Sequence, residues 1–527
     1  MSYEKRADYS ETYLFPRSLE DWVGADHPAR FVREVVDVLD LGELGFKRRE
    51  SKDGRPNYAA DLLLKVWLYG YLMRIRSSRQ LERACRENVG LIWLTGMNEP
   101  DHNTLWRFFS ENKRALRKVF KQVVRVAFHA KLIGMVLHAV DGTKITAQAS
   151  RRTAWHKADL EKVLRRLDDS IEQMMSIAEE AEKKERGGYR LPVEFIEKEQ
   201  LRKKIKEALT EMEEAETKDF HPKEKDARMM NCAGKGGRRE FGYNAQAVAD
   251  AESGLIVAAE VVNEADDHGL LVPMIGKVEE ALGQAAEETL ADCGYRSAAE
   301  LRRAEDHGYS VIVALGRQGE DVRGAGEYHP SKFRYDEQND QCICPRGEVL
   351  SFKSRSGSNR YPVRVYQCRS YKECPARWQC SRAKSGRKIE LSIFHDSLMR
   401  QREKHRNKEK QAALKRRQVI IEPAFAHIKQ AMDFRRFTHR GLESVRTQWS
   451  LLCTTANLSK LYKCWLSGIF SLKDASIRSI GSVSGRLGPR RLKIRQESRC
   501  FGSENTIPYS CSPILLKAYI ARQCPAF

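Results

Sequence analysis

Two short apolar runs in this chain end alike. "MVLHAV" (135–140) runs into Asp141 and Gly142, and "ETLA" (288–291) runs into Asp292 with Gly294 close behind. A carboxylate at the end of a buried strand carries a desolvation cost unless positive charge meets it. An aspartate and a glycine after an apolar run are also an ordinary turn signal, which would account for either occurrence singly. The order of elements constrains the reading further. Periodicity predicts a strand (135–141), a helical hairpin, two strands, a helix, a strand, a helix and a last strand, and that order implies a mixed α/β sheet. Two neighbouring strands ending in aspartate at the same sheet edge would bring both carboxylates together. The repetition favours one shared site over two unrelated turns.

The remaining segments fall into blocks. Residues 1–130 read as helical. "NYAADLLLKVWLYGYL" (57–72) is apolar on nearly all sides, as a central helix is. "SSRQLERACRENVGLIWLTG" opens on a serine cap and closes on glycine. Next, Asp101 to Thr104 offer caps, and Leu116, Phe120, Val123 and Ala127 recur at helical spacing. Short helices, a tight turn and a basic third helix suggest a helix-turn-helix-like DNA-binding module; an ordinary helical bundle fits the pattern equally. Residues 131–327 carry most of the sheet, with two charge-rich helical stretches over 155–217 meeting at "RGGYRLP". "EFGYNAQAVAD" and "LIVAAEVV", around an "AESG" turn, read as a β-hairpin. Residues 328–395 are loop-rich and hold Cys342, Cys344, Cys368, Cys374 and Cys380. A structural zinc on Cys344, Cys368, Cys374 and Cys380 is one reading, and free thiols in a small β insert the other. Residues 396–466 read as long helices. The basic tail, 467–527, lacks periodicity and is expected to be disordered or atypical.

Lys and Arg total 93 against 72 Asp and Glu, a net charge of +21. Such an excess favours a polyanionic partner, because neutralising phosphates releases counterions. RNA or an anionic membrane surface would satisfy charge alone, so no reaction follows from it. No apolar run approaches the roughly 20 residues of a membrane span, and the N-terminal stretch lacks the apolar segment of a signal peptide. A cytoplasmic protein is expected, with no membrane partner. Its 13 cysteines would then be thiols or metal ligands rather than disulfides.

A third carboxylate, Glu422, sits between Ile421 and Pro423 on an otherwise apolar turn, with Lys429 seven residues on along the same face. Pro423 disfavours helical geometry at Glu422, which predicts a helix start or kink there. Together with "PDHNTLWRFF", "AVDGTKITA", "GYNAQAVADAESGLIVAAEVVNEADDH", "LADCGYRS" and "IEPAFAHIKQAMDFRRFTHRGLESVRTQWSLLCTTANLSKL", these residues resemble the DDE transposases of bacterial insertion sequences. The resemblance is to the group with a helical N-terminal domain and a cysteine-bearing insert before the last acidic residue, and it spans roughly residues 10–465. It implies a ribonuclease H-like mixed-sheet catalytic core, with the helical hairpin and the Cys-rich segment as insertions.

The resemblance also implies that Asp141, Asp292 and Glu422 ligate two Mg²⁺ or Mn²⁺ ions, about 3.5–4 Å apart, for in-line displacement at phosphorus. Asp141 would bridge both ions, with Asp292 and Glu422 each completing one site. Lys429 would contact DNA at the element's end. The implied activity is nicking at insertion-sequence ends followed by strand transfer. The implied partners are the double-stranded terminal inverted repeats, the target DNA and further copies of the chain on DNA. Among other basic residues, Lys144, Arg435, Arg436 and Arg440 are expected on phosphates, while Phe434 and Phe437 pack in the core. His138, mid-strand, reads as a packed core residue. Two departures stand out: Gln418 occupies the place of the family's arginine four residues before the glutamate, and Tyr371 the place of a cysteine. A metal-dependent nuclease on the same fold, or an inactive DNA-binding remnant, would carry much the same pattern.

Overall fold

A helix apolar all round must be enclosed, and the chain encloses the body of α3 (Ala60–Leu72): its residues from Leu63 to Tyr71 are buried. The computed structural model describes residues 18–47, 57–184, 193–232, 237, 239–316, 326–356 and 362–472. Around α3 lie α1 (Pro28–Asp37), α2 (Leu41–Leu44), α4 (Ser78–Glu87), α5 (Val89–Thr95), α6 (His102–Glu111) and α7 (Lys113–His129). Local chemistry sets their ends. Asn88 accepts from Leu91 N–H to start α5, and Gly96, at φ +57°, closes it. Asp101 accepts from the N–H groups of Asn103 and Thr104 at 2.9 and 3.0 Å to start α6. Three cations of the basic α7 are engaged within the chain: Arg117 pairs with Glu443 at 2.7 Å, Lys121 with Glu280, and Arg125 donates to Ala281 O at 2.8 Å.

The main sheet follows: β1 (Leu137–Thr146), a small ladder of β2 (Trp155–His156) with β3 (Asp219–Phe220), then β4 (Arg228–Met230), β5 (Glu240–Asp250), β6 (Ile256–Val262), β7 (Glu288–Ala291) and β8 (Val311–Val313). Its order is β5-β1-β7-β8, with β4 and β6 both on the far side of β5. β1 runs antiparallel to β5 and parallel to β7, and β7 runs parallel to β8. With α10 (Leu271–Leu282) and α11 (Ala298–Asp306) alternating with these last strands, the arrangement is compatible with a ribonuclease H-like transposase core. One boundary differs from expectation. β1 continues to Thr146, because β5 keeps pairing with it after β7 has ended. Asp141 is therefore mid-strand and not at a strand end.

Between β2 and β3, α8 (Lys157–Lys184) and α9 (Val193–Glu214) lie antiparallel, joined by Arg202–Asp168 at 2.6 Å and Lys157–Glu213 at 2.9 Å. The turn expected at "RGGYRLP" lies outside the described residues. A second, five-stranded sheet comprises β9 (Arg334–Asp336), β10 (Gln341–Ile343), β11 (Val349–Ser356), β12 (Val363–Cys368) and β13 (Lys388–Ser392), with the one-turn α12 (Arg377–Cys380) beside it. Then come α13 (His395–Arg406), α14 (Lys408–Ala426) and α15 (Leu442–Leu466). Pro423 lies inside α14, so Glu422 is at neither a helix start nor a break. The carbonyl that Pro423 leaves without an N–H belongs to the exposed Val419, where water can serve it. The helix leaves α geometry only at a π-turn, His427–Ala431.

α15 ties the parts together. Glu224 and Asp226 accept from the N–H groups of Gly441 and Leu442, each at 2.8 Å, at its positive end. Asn457 accepts from Ile256 N–H at 2.9 Å and donates to Ile256 O at 2.7 Å, so a helix side chain pairs with β6 as a strand would. The N-terminal helices, main sheet, α14 and α15 share one continuous apolar core. Smaller clusters lie under the α8–α9 pair and in the second sheet. No helix among the described residues is long and apolar enough to cross a membrane. Of the expected basic tail, residues from 473 on lie outside the described residues.

His439 provides a titratable contact within this shared core. Its ring stacks on Phe109 and Trp106 of α6, at centroid distances of 4.3 and 5.4 Å. Burial, then the charge of Lys113, pushes its pKa down to about 4. The unfolded chain takes up this proton near pH 6.5, so stability is lost as pH falls from there towards 4. We expect roughly 2 kcal/mol less stability at pH 5 than at pH 7 from this group. His439→Phe should shrink the pH dependence by that amount in denaturant unfolding; an unchanged dependence would rule the contact out as its source.

Candidate active site

β7 accompanies β1 only over Leu137–Ala139, paired with Glu288–Leu290. Two residues further along that register Asp141 stands beside Asp292, which directly follows β7. The charge of Asp292 acts on Asp141. Asp292 Oδ1 accepts from Gly294 N–H at 2.8 Å, capping a single helical turn, Cys293–Tyr295. Asp141 Oδ1 accepts from Gly142 N–H at 2.8 Å, and its Oδ2 from the guanidinium of Arg417 on α14 at 2.6 Å. Burial raises the pKa of Asp141 above the ordinary carboxylate range, Arg417 opposes the shift, and Asp292 adds to it.

A polar network lies against this pair. Asp267, in the loop after β6, accepts at Oδ1 from Lys144 Nζ at 2.9 Å, Asn244 Nδ2 at 2.7 Å and Gln246 Nε2 at 2.8 Å. Gln246 pairs across the ladder with Gly142. A β-carbon on Gly142 would lie 2.1 Å from Gln246 Nε2 and 2.8 Å from Asp267 Oδ1. The glycine after Asp141 is thus required for space inside a strand and makes no turn. A β-carbon on Gly294 would meet Asp292 Oδ1 at 2.9 Å and Asp267 Oδ2 at 3.2 Å, so these two carboxylates share one small volume. Tyr295 closes it, donating its hydroxyl to Gln246 Oε1. Burial, and then the charges of Asp267, Asp141 and Asp292, push its phenol well above the ordinary range.

Sequence reasoning gave no role to Asp267, Asn244, Gln246 or Tyr295. The available signal was the acidic pair in "NEADDHG", directly after a strand of the same sheet. The other expected site residues are distributed as follows. Glu422 is exposed, five residues beyond Arg417 and so about 7.5 Å further along α14. It is Arg417 that reaches Asp141. Lys144 is engaged by Asp267. Lys429 is half-buried in the π-turn, and burial lowers its pKa below the ordinary ammonium range. Arg435, Arg436 and Arg440 are exposed, while the neighbouring Phe434, Phe437 and His439 are buried. Phe437 N–H donates to Thr146 O at 2.9 Å and Arg436 bridges to Thr146, fixing this segment on the end of β1. His138 is buried, 3.8 Å from Asp250.

Two cation-lined clefts open nearby. One, of ≈ 650 Å³, is lined by Asp292 with Arg402, Lys415, Arg417 and Gln418. The other, of ≈ 500 Å³, is lined by Arg151, Arg152, Lys223, Arg436 and Arg440. The paired aspartates offer the hard oxygen donors that Mg²⁺ or Mn²⁺ takes, and Arg417 already sets positive charge on one of them. Among the described residues, no three Asp, Glu, His or Cys side chains are gathered at ion-holding spacing.

A transposase DDE domain family matches residues 343–462, from the second sheet through Glu422 to α15. A further transposase domain family (DUF772) matches residues 17–111, the N-terminal helices. No curated protein matches the chain. Transposase families are thus matched in both the N-terminal and the C-terminal part of the chain, and together they indicate an insertion-sequence DDE transposase.

Proposed function

We propose that this transposase nicks DNA at the ends of its element and transfers the freed strands into target DNA, with Asp141, Asp292 and Glu422 as donors to divalent metal ions. The observation that carries the reading is the Asp141–Asp292 pair on the open side of β1, in a chain of this family. In each step an oxygen of water or of a 3′-hydroxyl forms a bond to phosphorus, and the bond to the departing 3′-oxygen breaks. Bound Mg²⁺ or Mn²⁺ supplies the positive charge that activates the attacking oxygen and stabilises the departing one. The aspartates hold that charge at the end of the open sheet edge. Arg417 opposes the rise that burial imposes on the Asp141 carboxyl. Arg436 and Arg440, with Arg151, Arg152 and Lys223, hold DNA phosphates along their cleft, and Arg435 adds to the same exposed run.

Glu422 is assigned by the family pattern as the third donor. Lys429 is assigned to the element's end on the same ground. The N-terminal helices contribute further DNA contact, with Arg114 and Lys118 the exposed cations of α7, while Arg117, Lys121 and Arg125 are engaged within the chain. Joining two element ends calls for more than one copy of the chain on DNA.

The test incubates the full chain with DNA fragments spanning the flanks of its gene, in Mg²⁺ or Mn²⁺. Nicked ends together with joined products are expected, and both should vanish in EDTA. Cut ends without joined products would indicate a nuclease on this fold. End-specific binding without cutting would indicate an inactive remnant.

A further inference from the structure

Of the cysteines near the second sheet, four open onto one cavity. Cys344, Cys368, Cys374 and Cys380 line a space of ≈ 30 Å³ together with Arg377 and Arg387, room for little more than a single water or ion. They reach it from three separate pieces of chain: the turn between β10 and β11, the end of β12, and the segment from Cys374 to Cys380 at the end of α12. None of them is in a disulfide. Cys344 Sγ already accepts a hydrogen bond from Arg346 N–H at 3.3 Å, and Gly347, at φ +90°, allows the tight turn that aims this N–H at sulfur. Burial raises the pKa of the Cys380 thiol, and Cys344, Cys374 and Cys368 act on it electrostatically, which marks the four as one cluster. Cys342, by contrast, belongs to the apolar core with Leu350, Tyr366 and Ile389 and does not line the cavity.

The cavity's cations point the same way. Arg377 Nε and Arg387 Nε are buried N–H groups with no hydrogen-bond partner. Buried donors left unpaired are costly and call for an acceptor. Four thiolates around one divalent cation carry a net double negative charge and supply such an acceptor.

We propose that Cys344, Cys368, Cys374 and Cys380 bind one structural Zn²⁺ that fastens the turn, the strand end and α12 of the second sheet together. Tetrahedral four-sulfur coordination selects zinc, or iron as the competing metal, over the hard cations of the catalytic site. The sulfurs are not gathered at ligand spacing; with Zn–S bonds of about 2.3 Å the ion draws them inward. Three of the four stand on a turn, before a one-turn helix or at its last residue, which can follow. Each thiol gives up its proton to solvent on binding, so affinity rises with pH. Cys368 replaces the cysteine expected at Tyr371, whose ring lies instead against Gly386 and beneath Arg377. The inference is independent of the catalytic reading.

The test is metal analysis of the purified full chain by mass spectrometry, with zinc and iron measured together. About one zinc per chain is expected. A mercurial thiol reagent should release that zinc to a colorimetric indicator as roughly four protected thiols react. Cys374→Ser combined with Cys380→Ser should lose at least tenfold of the zinc, and Cys464→Ser, outside the cavity, should keep it. Stoichiometric iron, less than a tenth of a zinc per wild-type chain, a disulfide among the four, or full zinc in the double variant would each overturn the proposal. The wild-type measurements decide the matter even if the double variant does not fold.

Discussion

Alanine at Asp292 is expected to lower Mg²⁺-dependent nicking by roughly a thousandfold or more, the loss of about 4 kcal/mol of transition-state stabilisation, with DNA binding unchanged. The substitution removes a carboxylate whose other duty is only the cap on Gly294 N–H, so the fold should tolerate it. Asp141 needs a different variant. Its removal leaves Arg417 partly buried without its acceptor, and a stability loss would blur the activity reading. Asp141→Asn keeps an oxygen for Arg417 while withdrawing the charge, and should abolish nicking equally. Glu422→Ala asks a separate question, because Glu422 is exposed on α14 while Arg417 occupies Asp141. Loss of nicking there would mean that α14 carries Glu422 to the aspartates once DNA and metal are bound. Nicking that survives would remove Glu422 from the donor set and leave the two aspartates in it.

The largest stability effect is expected at Trp449. Its side chain is fully buried in the middle of α15, stacks on Phe425, and donates its indole N–H to Gln246 O at 3.0 Å. Trp449→Ala opens a large cavity and leaves that carbonyl without its donor, at a cost of about 4 kcal/mol. Trp449→Phe refills most of the space and should cost about 1–2 kcal/mol, chiefly the lost hydrogen bond. Urea unfolding followed by circular dichroism measures both. A cost below about 1 kcal/mol for the alanine variant would mean that α15 is not the staple described above. Because the side chain of the same Gln246 holds Tyr295, the alanine variant should also loosen the carboxylate cluster.

Much of this architecture is legible in the residues. The all-apolar α3, the caps at Asn88 and Asp101, the two long charged helices and the alternation of β5 and β6 follow local rules. The juxtaposition of Asp141 and Asp292 is also readable, since two parallel neighbours of one sheet bring like positions side by side. The network on Asp267 is not readable, because it depends on register: Gln246 meets Gly142 only after β5 has been aligned along all of β1. Gly142 misleads for the same reason. A glycine after aspartate signals a turn locally, and only the side chains crossing over it reveal a crowded strand. The two adjacent arginines before Gln418 are plain in the sequence, but helical phase alone decides that Arg417 is the one that reaches the carboxylate. Pro423 misleads in the opposite way, as the helix simply carries the proline with its orphaned carbonyl at an exposed residue.

That the helices before β1 and the sheet after it bury a common interior bears on how copies of this gene decay. A stop codon or frameshift anywhere ahead of α15 strips cover from both halves at once, so the shortened polypeptide should precipitate rather than persist as a competitor for element ends. Silent copies that still make soluble protein should therefore be full-length through residue 466 and carry point changes. Expressing the chain with stop codons placed serially across 400–466, and measuring the soluble fraction, would test whether that inheritance is all-or-none.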